Sequence, residues 1–148
     1  MKGISIVASC LAVVTLAGCS GATSSNAPNT SFTVPIPLQQ AYDRAMAQTN
    51  YCLMSDDNAP ITAQISPDAQ RAQIQVLMRF TNTVAAEMGF QARGADSTVV
   101  DVRMWGINIW NRTAVDAMEA AIRFGVPSCV NYFPGKSASA ETAAKKRR

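Results

Sequence analysis

Cysteine and histidine are the residues whose numbers most restrict the chemistry of this chain. The 148 residues include four cysteines, Cys10, Cys19, Cys52 and Cys129, and no histidine. A cysteine nucleophile needs a base to form its thiolate, and histidine is the usual base and also the commonest metal ligand. No cysteine has a second cysteine at CxxC spacing. We therefore expect no catalytic residue, no metal site and no cofactor.

Two short motifs allow both a chemical and a structural interpretation. Asp56-Asp57 could begin a cation site, but a single carboxylate pair supplies too few oxygens for Ca²⁺, and a solvated turn explains it better. Asn111-Arg112-Thr113 matches a glycosylation sequon, and it also fits the cap and first turn of a helix. No glycine-rich phosphate loop follows a predicted strand. These motifs therefore supply no visible machinery for catalysis.

The first 18 residues have the features of a secretory signal peptide. Lys2 supplies a positive start, an apolar run covers Ile4 to Leu16, and small residues follow. The alternative is a permanent transmembrane helix. The run is shorter than the roughly 20 residues that such a helix needs, and the polar residues after it do not extend it.

The sequence Leu16-Ala17-Gly18-Cys19 resembles the lipobox of bacterial lipoproteins. The resemblance implies cleavage after Gly18, lipidation of Cys19 and acylation of the new amino terminus. Several acyl chains would hold the protein on a membrane. Ser20 follows the cysteine where an Asp would favour inner-membrane retention, so the resemblance implies an outer-membrane protein that faces the periplasm. Inner-membrane attachment stays open, because this sorting rule varies between bacteria.

Cysteine pairing follows from this resemblance. With Cys10 in the leader and Cys19 lipidated, Cys52 and Cys129 remain in an oxidising compartment, where they can form a disulfide. This disulfide would close nearly the whole domain and contribute about 4–5 kcal/mol in the chain-entropy model. The alternative is two buried, unpaired thiols.

Composition divides the mature chain into a tether (residues 19–30), one domain (residues 31–133) and a basic tail (residues 134–148). The tether is polar and uncharged, and the tail ends in Lys145, Lys146, Arg147 and Arg148. Without these four bases and Lys2, eight basic residues face ten acidic ones, so the domain carries about −2 and the tail +4. The tail could contact an anionic surface, or it could simply aid solubility. An exported protein is not expected to bind nucleic acid.

Two segments have helical periodicity. Apolar residues from Leu38 to Thr49 form one stripe after Pro35 and Pro37, and we expect this helix to end near Asn50. A second stripe extends from Ala114 to Ile122. Asn111 is its expected N-cap, with Trp110 and Val115 as a hydrophobic staple, and Thr113 is the alternative cap. Phe124 to Pro127 ends this helix.

Five segments have the character of strands. Phe32 to Val34 is a short one, and alternating segments cover Ile61 to Ile65, Arg71 to Phe80, Val84 to Ala92 and Thr98 to Gly106. The predicted order is β-α-β-β-β-β-α. The sequence thus predicts an α+β two-layer sandwich, with a four-to-five-stranded antiparallel sheet covered on one face by two helices.

The uncovered sheet face is the candidate interaction surface. The alternation places charged residues on this face, including Arg79 and Arg103, with Trp105 beside them and Trp110 close in sequence. An aromatic cluster rimmed by Arg could bind a protein or a glycan. One alternative is that the charged residues simply form a solvated sheet face. For the tryptophans, the alternative is that Trp110 staples the second helix and Trp105 covers a sheet edge.

The predicted domain, residues 31–130, is similar in architecture to helix-on-sheet domains of small envelope lipoproteins. This similarity favours a membrane-anchored binding or scaffolding protein with an envelope protein as partner. A carrier of a small apolar ligand is an alternative, suggested by five methionines in the predicted core, Met46, Met78, Met88, Met104 and Met118. An enzyme that uses an unseen cofactor is a third and less favoured alternative.

Overall fold

The computed structural model describes residues 26–52, 59–106 and 109–129. Two helices pack on one face of a five-stranded antiparallel sheet, which confirms the predicted α+β sandwich and its element order. The elements are β1 (Asn29–Val34), α1 (Leu38–Cys52), β2 (Ile61–Ile65), β3 (Arg71–Leu77), β4 (Val84–Ala92), β5 (Thr98–Met104) and α2 (Arg112–Phe124).

The sheet has the strand order β1-β5-β4-β3-β2. Strands β2 to β5 form a meander of successive neighbours, and β1 returns beside β5. Helix α2 packs over β1 and β5, and helix α1 packs over β3 and β4. The edge strand β2 therefore projects beyond the helix layer.

Helix α2 begins and ends as its sequence predicts. The Asn111 side chain accepts a hydrogen bond from the Ala114 N–H at 3.3 Å, so Asn111, rather than Thr113, is the N-cap. Gly125 ends the helix in the left-handed conformation, with φ at 73° and its N–H bonded to the Ala121 carbonyl at 2.7 Å.

Helix α1 extends to Cys52, beyond the predicted end near Asn50. Cys52 continues the buried stripe because it lies three or four residues after the buried Gln48 and Thr49. It forms a disulfide with Cys129, with a Cα–Cα distance of 5.2 Å, which confirms the predicted pair. The disulfide ties the end of α1 to the segment that follows α2.

Strand β3 ends earlier than the alternation predicts. The register between β3 and β4 shifts at Val76 and Leu77, and the chain then turns, with the Met78 N–H bonded to the Thr83 carbonyl at 2.8 Å. The alternation from Arg71 to Phe80 places Phe80 with the inward-facing residues, but the side chain is 94% exposed in this turn. The apolar alternation continues past the end of the strand, so it misplaced this residue.

The core lies between the sheet and the helices. It is built from the inward-facing residues of the strands and the buried stripes of both helices. Three of the five methionines that suggested an apolar-ligand carrier, Met88, Met104 and Met118, are at most 1% exposed within this core.

Candidate functional site

The outer face of the sheet, opposite the helices, carries a set of exposed polar side chains. Strand pairing aligns these residues in rows that cross the sheet. One row crosses all five strands through Gln64, Gln73, Gly89, Asp101 and Ser31. We call this surface, on the side opposite the helices, the outer face.

Two shallow depressions of about 550 and 290 Å³ meet on the outer face at Gly89. Both are lined by Gln73, Gly89 and Asp101. Their other lining residues come from all five strands and from the β2–β3 turn, and they include Asn29, Thr30 and Ser31 of β1. We call the combined depression the Gly89 groove, and its principal lining residues are Gln64, Arg71, Gln73, Glu87, Gly89, Gln91, Asp101 and Arg103.

The chain's own packing does not explain the glycine at position 89. Gly89 pairs in regular register with Gln73 and Asp101, and its φ is not positive. A Cβ atom built there meets only the Asp101 Cβ, at 4.0 Å, which is an ordinary contact. Glycine inside a strand lowers stability, and it often marks a place where a ligand or another backbone approaches closely. Gly89 therefore points to a site on the outer face.

Hydrogen bonds organise one end of the groove. A single Glu87 oxygen, Oε1, accepts from the Gln73 amide at 2.5 Å and from the Gln75 amide at 3.0 Å. Within the described residues, the side chains of Asp101 and Arg103 form no hydrogen bond or ion pair with each other or with a neighbour. The groove thus presents an acidic and a basic group that can bind a ligand without breaking an internal contact.

The turn between β2 and β3 forms one rim of the groove through Ser66 and Pro67. The Ser66 hydroxyl donates to the Asp68 carboxylate at 2.5 Å, and the Gln70 N–H donates to it at 3.1 Å. These two hydrogen bonds hold the pKa of the exposed Asp68 below its ordinary value. Ser66 also accepts from the Arg71 N–H at 2.9 Å, so the rim has a fixed shape.

The structure corrects two of the four residues predicted for the interaction surface. Trp110 is only 7% exposed and belongs to the hydrophobic core, so it is not available for docking. Arg79 lies in the turn after β3, with its guanidinium 5.9 Å from the Phe80 ring centre, because the strand ends before it.

The other two residues lie on or beside the outer face. Arg103 lines the Gly89 groove. Trp105 follows β5 and is half-buried against the core, and its backbone N–H donates to the Ala85 carbonyl at 2.9 Å. Trp105 therefore lies at the end of the inner strands β4 and β5 and not at an edge of the sheet. The groove is lined by amides and charged groups in place of the predicted aromatic cluster.

Several sequence predictions lie outside the described residues. They are lipidation at Cys19, the Asp56-Asp57 turn and the basic residues Lys145, Lys146, Arg147 and Arg148. Within residues 26–52, 59–106 and 109–129, no group of three or more Cys, Asp or Glu is placed to hold a metal ion. Neither described helix has the length and apolar character of a membrane span.

Comparison with known proteins assigns no family. No protein-family model matches the chain, and no curated protein matches it.

Proposed function

We propose that this protein is a lipid-anchored module of the bacterial envelope that binds a partner protein through the Gly89 groove. The observation that carries the proposal is the glycine itself. Gly89 stands in regular strand geometry with room for a side chain, at the point where two depressions meet. Because glycine has no side chain, the floor of the groove is open to an approaching backbone.

The chemistry of the groove fits an extended, polar segment of a protein. Side-chain amides of Gln64, Gln73 and Gln91 can each donate to and accept from peptide groups. Asp101 and Arg103 lie two residues apart on β5 and offer charges of opposite sign. A segment that carries both charges and exposed peptide groups complements this surface.

Membrane attachment in this proposal rests on the sequence around Cys19. Intact-mass analysis of the full chain from bacterial membranes, with and without reduction and alkylation, tests the leader and the anchor together. We expect a mass that starts at a lipidated Cys19 and contains one disulfide. An unlipidated chain would contradict the anchor, and it would leave the groove to be tested separately.

Photo-crosslinking in cells tests the groove. A photoreactive amino acid at Gln73, in the groove, is compared with the same group at Gln40, an exposed position on α1. We expect a discrete protein adduct from position 73 and none of that mass from position 40. The variant Gly89→Thr should abolish the adduct, because its side chain fills the floor of the groove.

Thr33→Val provides the matched control for Gly89→Thr. Thr33 is exposed on the outer face of β1 and lines neither depression, so Thr33→Val should keep the adduct. Equal adducts from positions 73 and 40, or an adduct that persists in Gly89→Thr, would contradict the groove as the binding site.

A further inference from the structure

The two edge strands of the sheet, β1 and β2, differ in how well their outward-facing backbone groups are protected from pairing with another strand. On β1, the edge carbonyl of Asn29 accepts from the Arg112 Nη1 at 3.1 Å, and that of Thr33 accepts from the Arg123 Nη1 at 3.3 Å. The Arg123 guanidinium also lies over the Phe32 ring, 4.6 Å from its centre. Two arginines of α2 therefore occupy the β1 edge. Charged groups at an edge are a common protection against pairing with another strand.

The opposite edge, β2, has no such cover among the described residues. The Leu77 N–H donates to the Pro60 carbonyl and the Ser66 N–H donates to the Arg71 carbonyl, which fixes the hydrogen-bonding phase of the β2–β3 pair. In this phase the backbone groups of Thr62 and Gln64 face β3. Those of Ile61, Ala63 and Ile65 face outward, away from the sheet.

The β2 strand has a sequence that is nearly symmetric about its centre. It reads Ile-Thr-Ala-Gln-Ile, with Ala63 in the middle, identical residues at both ends and a polar residue on each side of Ala63. The strand has no charge and no proline. Its Ile61 and Ile65 are half-buried, and Ala63 is exposed, because the helices cover β3 and β4 but not β2.

We propose that β2 pairs antiparallel with β2 of a second copy of this chain, about a two-fold axis at Ala63. In this register Ile61 faces Ile65 of the other copy, Ala63 faces Ala63, and Thr62 faces Gln64. The outward-facing residues are the ones that such pairing bonds, so each of the three pairs exchanges two backbone hydrogen bonds. The register also joins two apolar edges on the helix side of the sheet.

The near-symmetry of β2 is the reason to choose a second copy as the partner strand. A two-fold interface requires that the same surface complement itself, and the sequence about Ala63 meets this condition on both faces of the strand. The pairing produces a ten-stranded sheet with both outer faces on the same side. The two Gly89 grooves then lie on one continuous surface, which favours a partner with two binding segments.

Cysteine crosslinking in membranes tests the register. In a non-hydrogen-bonded antiparallel pair, such as Thr62 with Gln64 of the other copy, the Cα atoms are about 4.5 Å apart, within the range for a disulfide. Two full-length tagged chains, Thr62→Cys and Gln64→Cys, are expressed together and oxidised mildly. We expect crosslinked heterodimers from the mixture, at least about fivefold more than from either variant alone.

Charge at the centre of β2 provides the second arm of the test. Ala63→Lys places two like charges opposite each other at the two-fold axis, and it should reduce the heterodimer yield by at least about fivefold. Ala47→Lys is the matched control, because Ala47 is exposed on α1. Gly89→Thr should leave the yield unchanged, which separates this proposal from the function of the groove.

Three outcomes would overturn the self-pairing. One is an equal yield from the mixture and from the single variants, which would show random collision. Another is an unchanged yield in Ala63→Lys. The third is that the cysteines of β2 crosslink to a different protein in place of a second copy, which would make β2 an edge for a foreign strand.

Discussion

The side chain of Gln48 pairs with both backbone groups of Ser128, 80 residues away. Its amide Nε2 donates to the Ser128 carbonyl at 2.9 Å, and its Oε1 accepts from the Ser128 N–H at 2.8 Å. Gln48 is fully buried. The Gln48 side chain thus satisfies both the N–H and the carbonyl of Ser128, as a paired strand would. It holds the segment after α2 against α1, close to the Cys52–Cys129 disulfide.

Replacement of Gln48 by methionine should destabilise the fold. Methionine has a similar volume but cannot bond to the peptide groups of Ser128, so both hydrogen bonds are lost. We expect the free energy of unfolding to fall by about 2–3 kcal/mol, measured by urea denaturation. Gln40→Met, at an exposed position of the same helix, is the control and should change it by less than about 0.5 kcal/mol.

Replacement of Gln48 by glutamate should make stability depend on pH. A protonated carboxyl can still donate to the Ser128 carbonyl and accept from its N–H, but a carboxylate cannot donate and is costly to bury. Burial thus raises the pKa of this glutamate in the folded state. Stability should be close to that of the native chain below the ordinary glutamate pKa and fall as the pH rises through the raised value.

The measurement for Gln48→Glu is urea denaturation across the pH range from about 4 to about 8, where a glutamate with a raised pKa titrates. The difference between Gln48→Glu and the native chain at each pH isolates the new group, since both share every other titration. A difference that does not grow with pH would show that the glutamate stays solvated, and that the Ser128 contact opens.

Removal of the disulfide should cost more than any of these substitutions. Cys52 and Cys129 are separated by 77 residues, so their bond restricts most of the unfolded domain. The double variant Cys52→Ala, Cys129→Ala should lose about 4–5 kcal/mol in the chain-entropy model. Urea denaturation of this variant, beside the oxidised and reduced native chain, checks the value. A loss below about 2 kcal/mol would contradict the chain-entropy account of this bond.

Periodicity in the sequence predicted the fold because the core is amphipathic on every element. The alternation of apolar and polar residues predicted β2 to β5, and the helical spacing of apolar residues predicted α1 and α2. Alternation could not detect the register shift at Val76 and Leu77, so it placed Arg79 and Phe80 on a strand that had already ended. Local patterns carry no information about where the partner strand ends the pairing.

The candidate site was harder to predict than the fold. Alternation predicted an outer face, but the aromatic residues predicted to bind there were Trp105 and Trp110. Trp105 is half-buried against the core, and Trp110 is only 7% exposed. The available signal was Gly89, a glycine within an alternating strand and without a turn around it. The pairing of Gln48 with Ser128 gave no such signal, since a buried glutamine in a helix depends on a distant segment.

Gly89→Thr should stabilise the fold while it removes binding, which distinguishes a site from a structural requirement. Threonine favours strands, and the position has space for its Cβ, so we expect the free energy of unfolding to rise by up to about 1 kcal/mol.

Gly125→Ala is the contrasting control. Its φ of 73° and a Cβ contact of 3.1 Å to the Arg44 Nε require glycine there, so alanine should cost about 1–2 kcal/mol. Urea denaturation of both variants gives the comparison. If Gly89→Thr destabilises the protein as Gly125→Ala does, then the sheet itself needs glycine at position 89, and the groove loses its main support.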